Sequence, residues 1–533
     1  LIEYDLCSPH FSVSNSPAAF FREDDVIRSV RLLMFGAFSL ALSVPVTGQQ
    51  EPSVPNVTGD PSAPPALAPT RQQPNNEATL NRLVSAADQL IPGDFSAASP
   101  VPAKLREAAT ALLETGASAA IEKLAQFREV DPTLPPPPLL VAAMFFALNQ
   151  LEAGHQVLER AAVEFPDYPG VYTALARLSI NQGWWASSAA LLAQLRQAID
   201  AGSWTDEQKK HFELEYLDGL ADTATGQQRF DEARRHLLQL RTALPDNASV
   251  SFRLADLDFR QNNSDDALEN LTAARRHDAK LLPPELVLFQ WSSRQGQVAD
   301  AEKWIQAAAE KFPDERSVQL EYGRFLLERA QLEEAALWIN RAAKNGAPLP
   351  IARFLQGQID FLRPSYSVAE ATFGELLIDN PNDLGVRNMR ALCLIESSDP
   401  DRRQEALEIA SANLRANPNN PQLASTLAWV LYRLGNVQQA KQILTQVTSL
   451  PNYPADTAYY LARMLVDDGK DENAAKELTR ALESRGMFLY RIRAQLELET
   501  IKQRLKQKPD SPERIPSPPS APQDSDSSGT SSV

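Results

Sequence analysis

One kind of segment recurs along most of this chain. FDEARRHLLQL begins at Phe230, SDDALENLTAA at Ser264, VADAEKWIQAA at Val298, LEEAALWINRA at Leu332 and DENAAKELTRA at Asp471. Each starts polar or acidic, continues with Ala, then places Leu, Ile or Trp about a turn later, which is the spacing of an amphipathic helix. The turns that follow fall at Pro132, Pro166, Asp200, Pro245, Ala279, Pro313, Ala347, Pro381, Pro418, Asn452 and Arg485. Seven of the ten intervals are 34 residues; the others are 45, 37 and 33. The 45 marks an insertion of 11 residues at 203–213, and the 37 marks three extra residues within SSDPDRR. A 34-residue hairpin cannot bury both of its faces alone, so such a chain must build its core by stacking one unit on the next.

Fixed columns test this reading. With each turn residue numbered 32, or 31 in the last unit where the turn comes one residue early, position 20 is Ala120, Gly154, Ser188, Ala233, Ala267, Ala301, Ala335, Ala369, Ala406, Ala440 and Ala474, all small. Position 8 is Gly or Ala in every unit but one, where Phe289 stands. Position 24 is bulky and apolar, from Leu124 to Leu478, except at Ala410. Two helices meet at a separation of about 8–10 Å only where small side chains let the backbones approach. Positions 8 and 20 supply that crossing, and position 24 fills the space beside it.

The period and these columns make the chain similar to the tetratricopeptide repeat family over residues 101–488. The resemblance implies an all-α, right-handed superhelical solenoid of helix-turn-helix repeats: repeats 1–3 at 101–202, the insertion at 203–213, and repeats 4–11 at 214–488. Phe289 and the near absence of Trp at position 4 depart from the family pattern. Residues 77–100 read as an N-terminal helical cap. Residues 487–508 read as a C-terminal capping helix with an apolar stripe of Phe488, Ile492, Leu496, Leu498 and Ile501.

The ends have another character. Arg28 and Arg31 precede an apolar run from Leu32 to Val46 and small residues before Gln49, so 28–48 has the layout of a secretory signal peptide, with an uncleaved anchor at 30–48 as the alternative. Residues 1–27 read as an upstream extension from a mis-set start. Residues 49–76 and 509–533 are rich in Pro and Ser and lack the apolar residues that offset the entropy of ordering, so a disordered linker and tail are expected. The expected location is therefore exported: periplasmic, cell envelope or secreted.

Chemistry is hard to find. Of 533 residues, 52 are Lys or Arg and 68 are Asp or Glu, a net charge of −16. Nucleic-acid binding depends on neutralising phosphates with a basic surface, so no nucleic-acid partner is expected. Two cysteines, Cys7 and Cys393, exclude a disulfide scaffold or a zinc ribbon. The histidines His10, His155, His211, His236 and His277 form no paired metal motif, and no phosphate-binding or nucleophile-elbow motif is present. The expectation is a non-enzyme with no catalytic residues, no metal and no cofactor.

The resemblance places a partner-binding groove on the first helix of each repeat, at positions 2, 5, 9, 12 and 13. Those columns hold Arg177, Arg324, Trp429 and Arg463 at position 9, Arg260, Arg294 and Arg433 at position 13, and Tyr459 and Tyr432 at positions 5 and 12. Arginine forks suit carboxylates, and aromatic rings anchor interfaces. The expected partner is a protein, held through an acidic or C-terminal segment. The alternative is that these arginines pair with carboxylates of neighbouring helices. A second functional reading is an envelope assembly or export factor, for polysaccharide or surface protein, associated with the membrane through residues 30–48.

Overall fold

The computed structural model describes residues 77–91, 100–346, 349–484 and 486–507. The expected extension, signal or anchor, linker and tail, together with Cys7, His10 and the turn positions Ala347 and Arg485, lie outside the described residues. Among the described residues all regular structure is α-helical. One compact unit ends at Pro284 and the other begins at Glu285.

In the first unit a single helix, α1 (Glu77–Asp88), precedes five hairpins. These are α2 (Val101–Glu114) with α3 (Ala117–Val130), α4 (Pro137–Ala147) with α5 (Leu151–Glu164), α6 (Pro169–Asn181) with α7 (Trp185–Ala201), α8 (Asp206–Gly226) with α9 (Phe230–Ala243), and α10 (Ala248–Arg260) with α11 (Ser264–His277). The second unit continues with α12 (Pro284–Arg294) and α13 (Val298–Lys311), α14 (Arg316–Glu328) and α15 (Leu332–Lys344), α16 (Leu349–Leu362) and α17 (Tyr366–Asp379). It is completed by α18 (Leu384–Ile395) and α19 (Pro400–Ala416), α20 (Pro421–Arg433) and α21 (Val437–Thr448), α22 (Ala455–Asp467) and α23 (Asp471–Glu483), and a last helix, α24 (Arg491–Gln507). The even-numbered helices α2–α22 are the A helices of the repeats, and their odd-numbered successors are the B helices.

The three sequence columns are the interior of each hairpin. Ala120, Ser188, Ala233, Ala335 and Ala474 at position 20 are fully buried, as are Leu158, Ile305, Phe373 and Leu478 at position 24. The size limit at position 8 is steric. A Cβ on Gly357 would sit 2.7 Å from the Phe373 ring, and one on Gly323 would sit 2.8 Å from Ile339. Position 8 of the A helix thus meets position 24 of its own B helix, and small against large fills the gap. Phe289 is half-buried and directs its ring at Phe325 in α14, edge to face at 6.4 Å.

A fourth column appears only in the structure. Position 15, just past each A helix, has positive φ at Gly183, Gly296, Gly435 and Gly469, and also at Asn149, Gln228, Asn262 and Ala330. This left-handed residue ends the A helix and turns the chain into the B helix. Asn247, Asp383 and Asn420 begin their A helices by accepting backbone N–H bonds, at 3.0 Å from Val250 and from Val386, and at 2.9 Å from Gln422.

The 203–213 insertion lengthens α8 at its N-terminus. Thr205 forms a reciprocal cap with Gln208, both bonds 3.2 Å. Trp204 and Phe212 close on Tyr168, the three rings meeting edge to face at 5.3–5.9 Å. The extra residues at 397–403 likewise go into helix, giving α19 its 17 residues.

Candidate functional site

Consecutive A helices pack side by side, so position 9 of one faces positions 2, 5 and 6 of the next. On α6, α8 and α10 of the first unit this face is occupied by charge. Arg177 of α6 donates to Glu215 at 2.8 Å and to Asp218 at 2.9 Å, both on α8. Arg253 of α10 also binds Asp218, and it reaches Asp222 at 2.7 Å. The chain Arg177–Asp218–Arg253–Asp222 therefore ties three A helices together, with the side chains between about a fifth and a third exposed. Burial works against charge on Asp218, but the guanidiniums of Arg253 and Arg177 outweigh it and hold that carboxyl below its usual range. Burial pushes Asp222 up, the Asp218 charge adds to the rise, and Arg253 offsets it only in part. Arg260 bonds Asp256 one turn back at 2.7 Å.

The second unit closes its A-helix face differently. Residues 487–493 run back over it before α24 is under way. The Tyr490 ring stacks on Tyr459 at 4.8 Å, crosses Tyr460 at 5.4 Å and Trp429 at 5.6 Å, and reaches Phe361 of α16 at 5.6 Å. Trp429 stacks on Tyr460 at 4.6 Å. The backbone of this strap is held as well, the Leu489 N–H donating to the buried carboxylate of Asp456 at 3.1 Å. Burial pushes the Asp456 carboxyl up to about 7. Arg493 donates to the Tyr366 hydroxyl and lies 3.7 Å from Glu396, which also takes Arg433 at 2.7 Å.

The expected anchors can now be placed. Trp429 is 2% exposed and Tyr459 is 4% exposed, so both are core residues, contrary to the expectation of open groove anchors. The cause is the strap, which supplies Tyr490 as their partner. Tyr432 is half-buried and bonds Asp467. Arg177, Arg433 and Arg463 are paired with Glu215, Glu396 and Glu497 respectively. Arg324 is half-exposed, 3.9 Å from Glu321, and Arg294 is exposed. The terminal stripe also needs correcting. Leu496 is 62% exposed, and Ala494 joins Leu498 and Ile501 in the buried set, because the helix begins only at Arg491 and its register is fixed by Tyr490.

An open groove remains between α22 and α24, about 420 Å³, lined by Arg463, Arg493 and Arg504 with Tyr459, Leu496 and Glu497 among its walls. Arg504 holds Asp471 at 2.8 Å, and Arg463 holds Glu497. A guanidinium has five N–H donors, so one internal partner leaves capacity for a second carboxylate. Arg493 and Arg504 escaped the sequence columns because α24 follows the last repeat.

Among the described residues no group of three or more His, Cys, Asp or Glu side chains is placed to hold a metal ion. Cys393 is buried, and burial raises its thiol well above the usual range, which makes it an inert packing residue. No described helix is long and apolar enough to cross a membrane.

Sequence models described as tetratricopeptide repeat match residues 219–280, 293–350 and 399–452. The chain carries tetratricopeptide repeats over these residues. The hairpins that those models leave unmatched follow the same columns. No curated protein matches the chain. Solved structures similar to it include a tetratricopeptide repeat protein from Parabacteroides merdae, at 17% identity over 48% of this chain and 98% of that one, with a TM-score of 0.37. Yeast Tom70 is 14% identical over 76% and 97%, with a TM-score of 0.30. PilF of Pseudomonas aeruginosa is 16% identical over 41% and 96%, with a TM-score of 0.27. Tetratricopeptide repeat proteins generally mediate protein–protein interactions, and their scaffold is typically non-catalytic.

Proposed function

We propose that this tetratricopeptide repeat protein is a non-catalytic scaffold that holds a carboxylate-bearing segment of a protein partner in the groove between α22 and α24. The observation that supports it is the convergence of Arg463, Arg493 and Arg504 around the exposed Leu496, on a chain whose net charge is −16. Guanidinium forks take carboxylates, and Leu496 gives an apolar neighbour to the segment between them. The A-helix faces of α6, α8 and α10 are filled by internal ion pairs, and those of α16, α20 and α22 by the strap. The test is peptide display against the full chain, beside an Arg463→Glu, Arg504→Glu variant shown by circular dichroism to be folded. Enrichment of acidic sequences by the parent and not by the variant is expected. Basic sequences, or equal enrichment by both, sink the reading.

The proposed setting is an exported compartment, resting on the basic, apolar and small-residue order of 28–48. The same stretch favours the second reading, a membrane-anchored envelope assembly or export factor. Fractionation separates them: release in the soluble envelope fraction supports the free scaffold, and extraction only by detergent supports the anchor.

A further inference from the structure

The groove between α22 and α24 lies beside an acidic segment of the same chain. The helix α24 carries Arg491, Arg493, Lys502, Arg504 and Lys506 against Glu497 and Glu499 alone. Residues 508–533, which lie outside the described residues, carry Asp510, Glu513, Asp524 and Asp526 against Lys508 and Arg514. A basic helix end is thus followed directly by a segment of the opposite net sign.

We infer that residues 508–533 are the resident occupant of this groove, folded back along α24, and that an acidic partner segment reaches the groove by displacing them. The inference rests on the reading of the groove as a carboxylate site. Charge complementarity carries it first: Asp510 and Glu513 follow Arg504 by six and nine residues, and Asp524 and Asp526 come after the proline-rich stretch 516–522. Reach carries it second. Arg493 and Arg504 are separated by about 16 Å along the helix at 1.5 Å per residue. An extended, proline-rich chain covers that distance in about five or six residues at roughly 3.1 Å each. The eight residues from Lys508 to Ile515 therefore suffice to reverse direction and bring Ile515 to Leu496, apolar against apolar between the guanidiniums. The tether supplies the rest, since a short linker gives an effective concentration on the order of millimolar. A second copy of the chain offers the same charges without that advantage.

The test uses the full chain with the photo-crosslinker benzoylphenylalanine in place of Leu496. The expected product is intrachain, joining position 496 to a peptide from 508–533, and it falls at least about tenfold when Asp510, Glu513, Asp524 and Asp526 are changed to Asn. A product joining two chains, a product on any other segment, or one indifferent to the neutralised acids overturns the inference. A second arm titrates the full chain carrying wild-type Leu496 with a fluorescein-labelled Asp-Glu-Leu-Asp-Glu peptide. Neutralising the four acids is expected to tighten its binding about tenfold by removing the tethered competitor. If the labelled peptide binds equally with and without the four acids, the tail is not the occupant and the carboxylate groove stands. If it does not bind the neutralised chain at all, the groove reading falls as well.

Discussion

The A-helix faces of the two units are built on the same repeat yet closed by different chemistry. On α6, α8 and α10 the facing columns hold Arg177, Glu215, Asp218, Asp222 and Arg253, and the helices are joined by half-buried ion pairs. On α16, α20 and α22 the corresponding columns hold Phe361, Trp429 and Tyr459, and a strap from the same chain lays Tyr490 over them. Partly buried ion pairs contribute little net stability, because desolvation nearly cancels the attraction, but losing one partner is costly. Buried rings contribute through apolar area and through stacking. A column therefore tells where a side chain points, and the neighbouring column decides whether it is available.

The sharpest way to break this contrast is Tyr490→Ala. Emptying the centre of the aromatic cluster should cost about 3–5 kcal/mol, read by denaturant unfolding, with early proteolysis around residues 484–493. A loss below about 1 kcal/mol would mean that the strap is not integral to the unit. Asp456→Asn comes next. The folded state raises this carboxyl to about 7, so its stability is highest in acid and is lost as pH rises from the ordinary carboxylate range through about 7. Between pH 5 and pH 8 the parent should lose about 2–3 kcal/mol that the amide variant retains; parallel pH profiles would show that Asp456 is not the group responsible. In the first unit, Arg253→Ala leaves Asp218 and Asp222 facing each other. The expected cost is about 1–2 kcal/mol, discounted for partial exposure, and adding Asp218→Asn with Asp222→Asn should restore most of it in thermal melts. The smallest effect tests the repeat frame that both regions share. Ala330 holds φ of 58°, so Ala330→Gly should stabilise by about 0.5–1 kcal/mol, and destabilisation would place the turn elsewhere.

The repeat frame was legible because it is a steric rule repeated eleven times. Gly357 meets Phe373 whatever the rest of the molecule does, and the columns carry that rule in residue size. The left-handed column at position 15 was not legible, since Asn149, Gln228, Asn262 and Ala330 occupy it beside the glycines. The arginines of the facing columns could be counted, but their partners lie on the adjacent A helix, and only side-by-side packing brings Asp218 to both Arg177 and Arg253. The strap was absorbed into the capping helix. Its signal was present in the unbroken apolar run of Met487, Phe488, Leu489 and Tyr490, which lacks helical spacing.

The most direct test compares arginines across the two regions. The labelled Asp-Glu-Leu-Asp-Glu peptide is titrated, by fluorescence anisotropy, against the full chain with the four tail acids neutralised. Two folded variants of it follow, Arg463→Glu with Arg504→Glu and Arg177→Glu with Arg260→Glu. The account predicts that binding is lost only in the first, because Arg463 and Arg504 line the groove between α22 and α24 and Arg177 and Arg260 do not. Loss only in the second would put the partner on the A-helix face of the first unit and contradict the account.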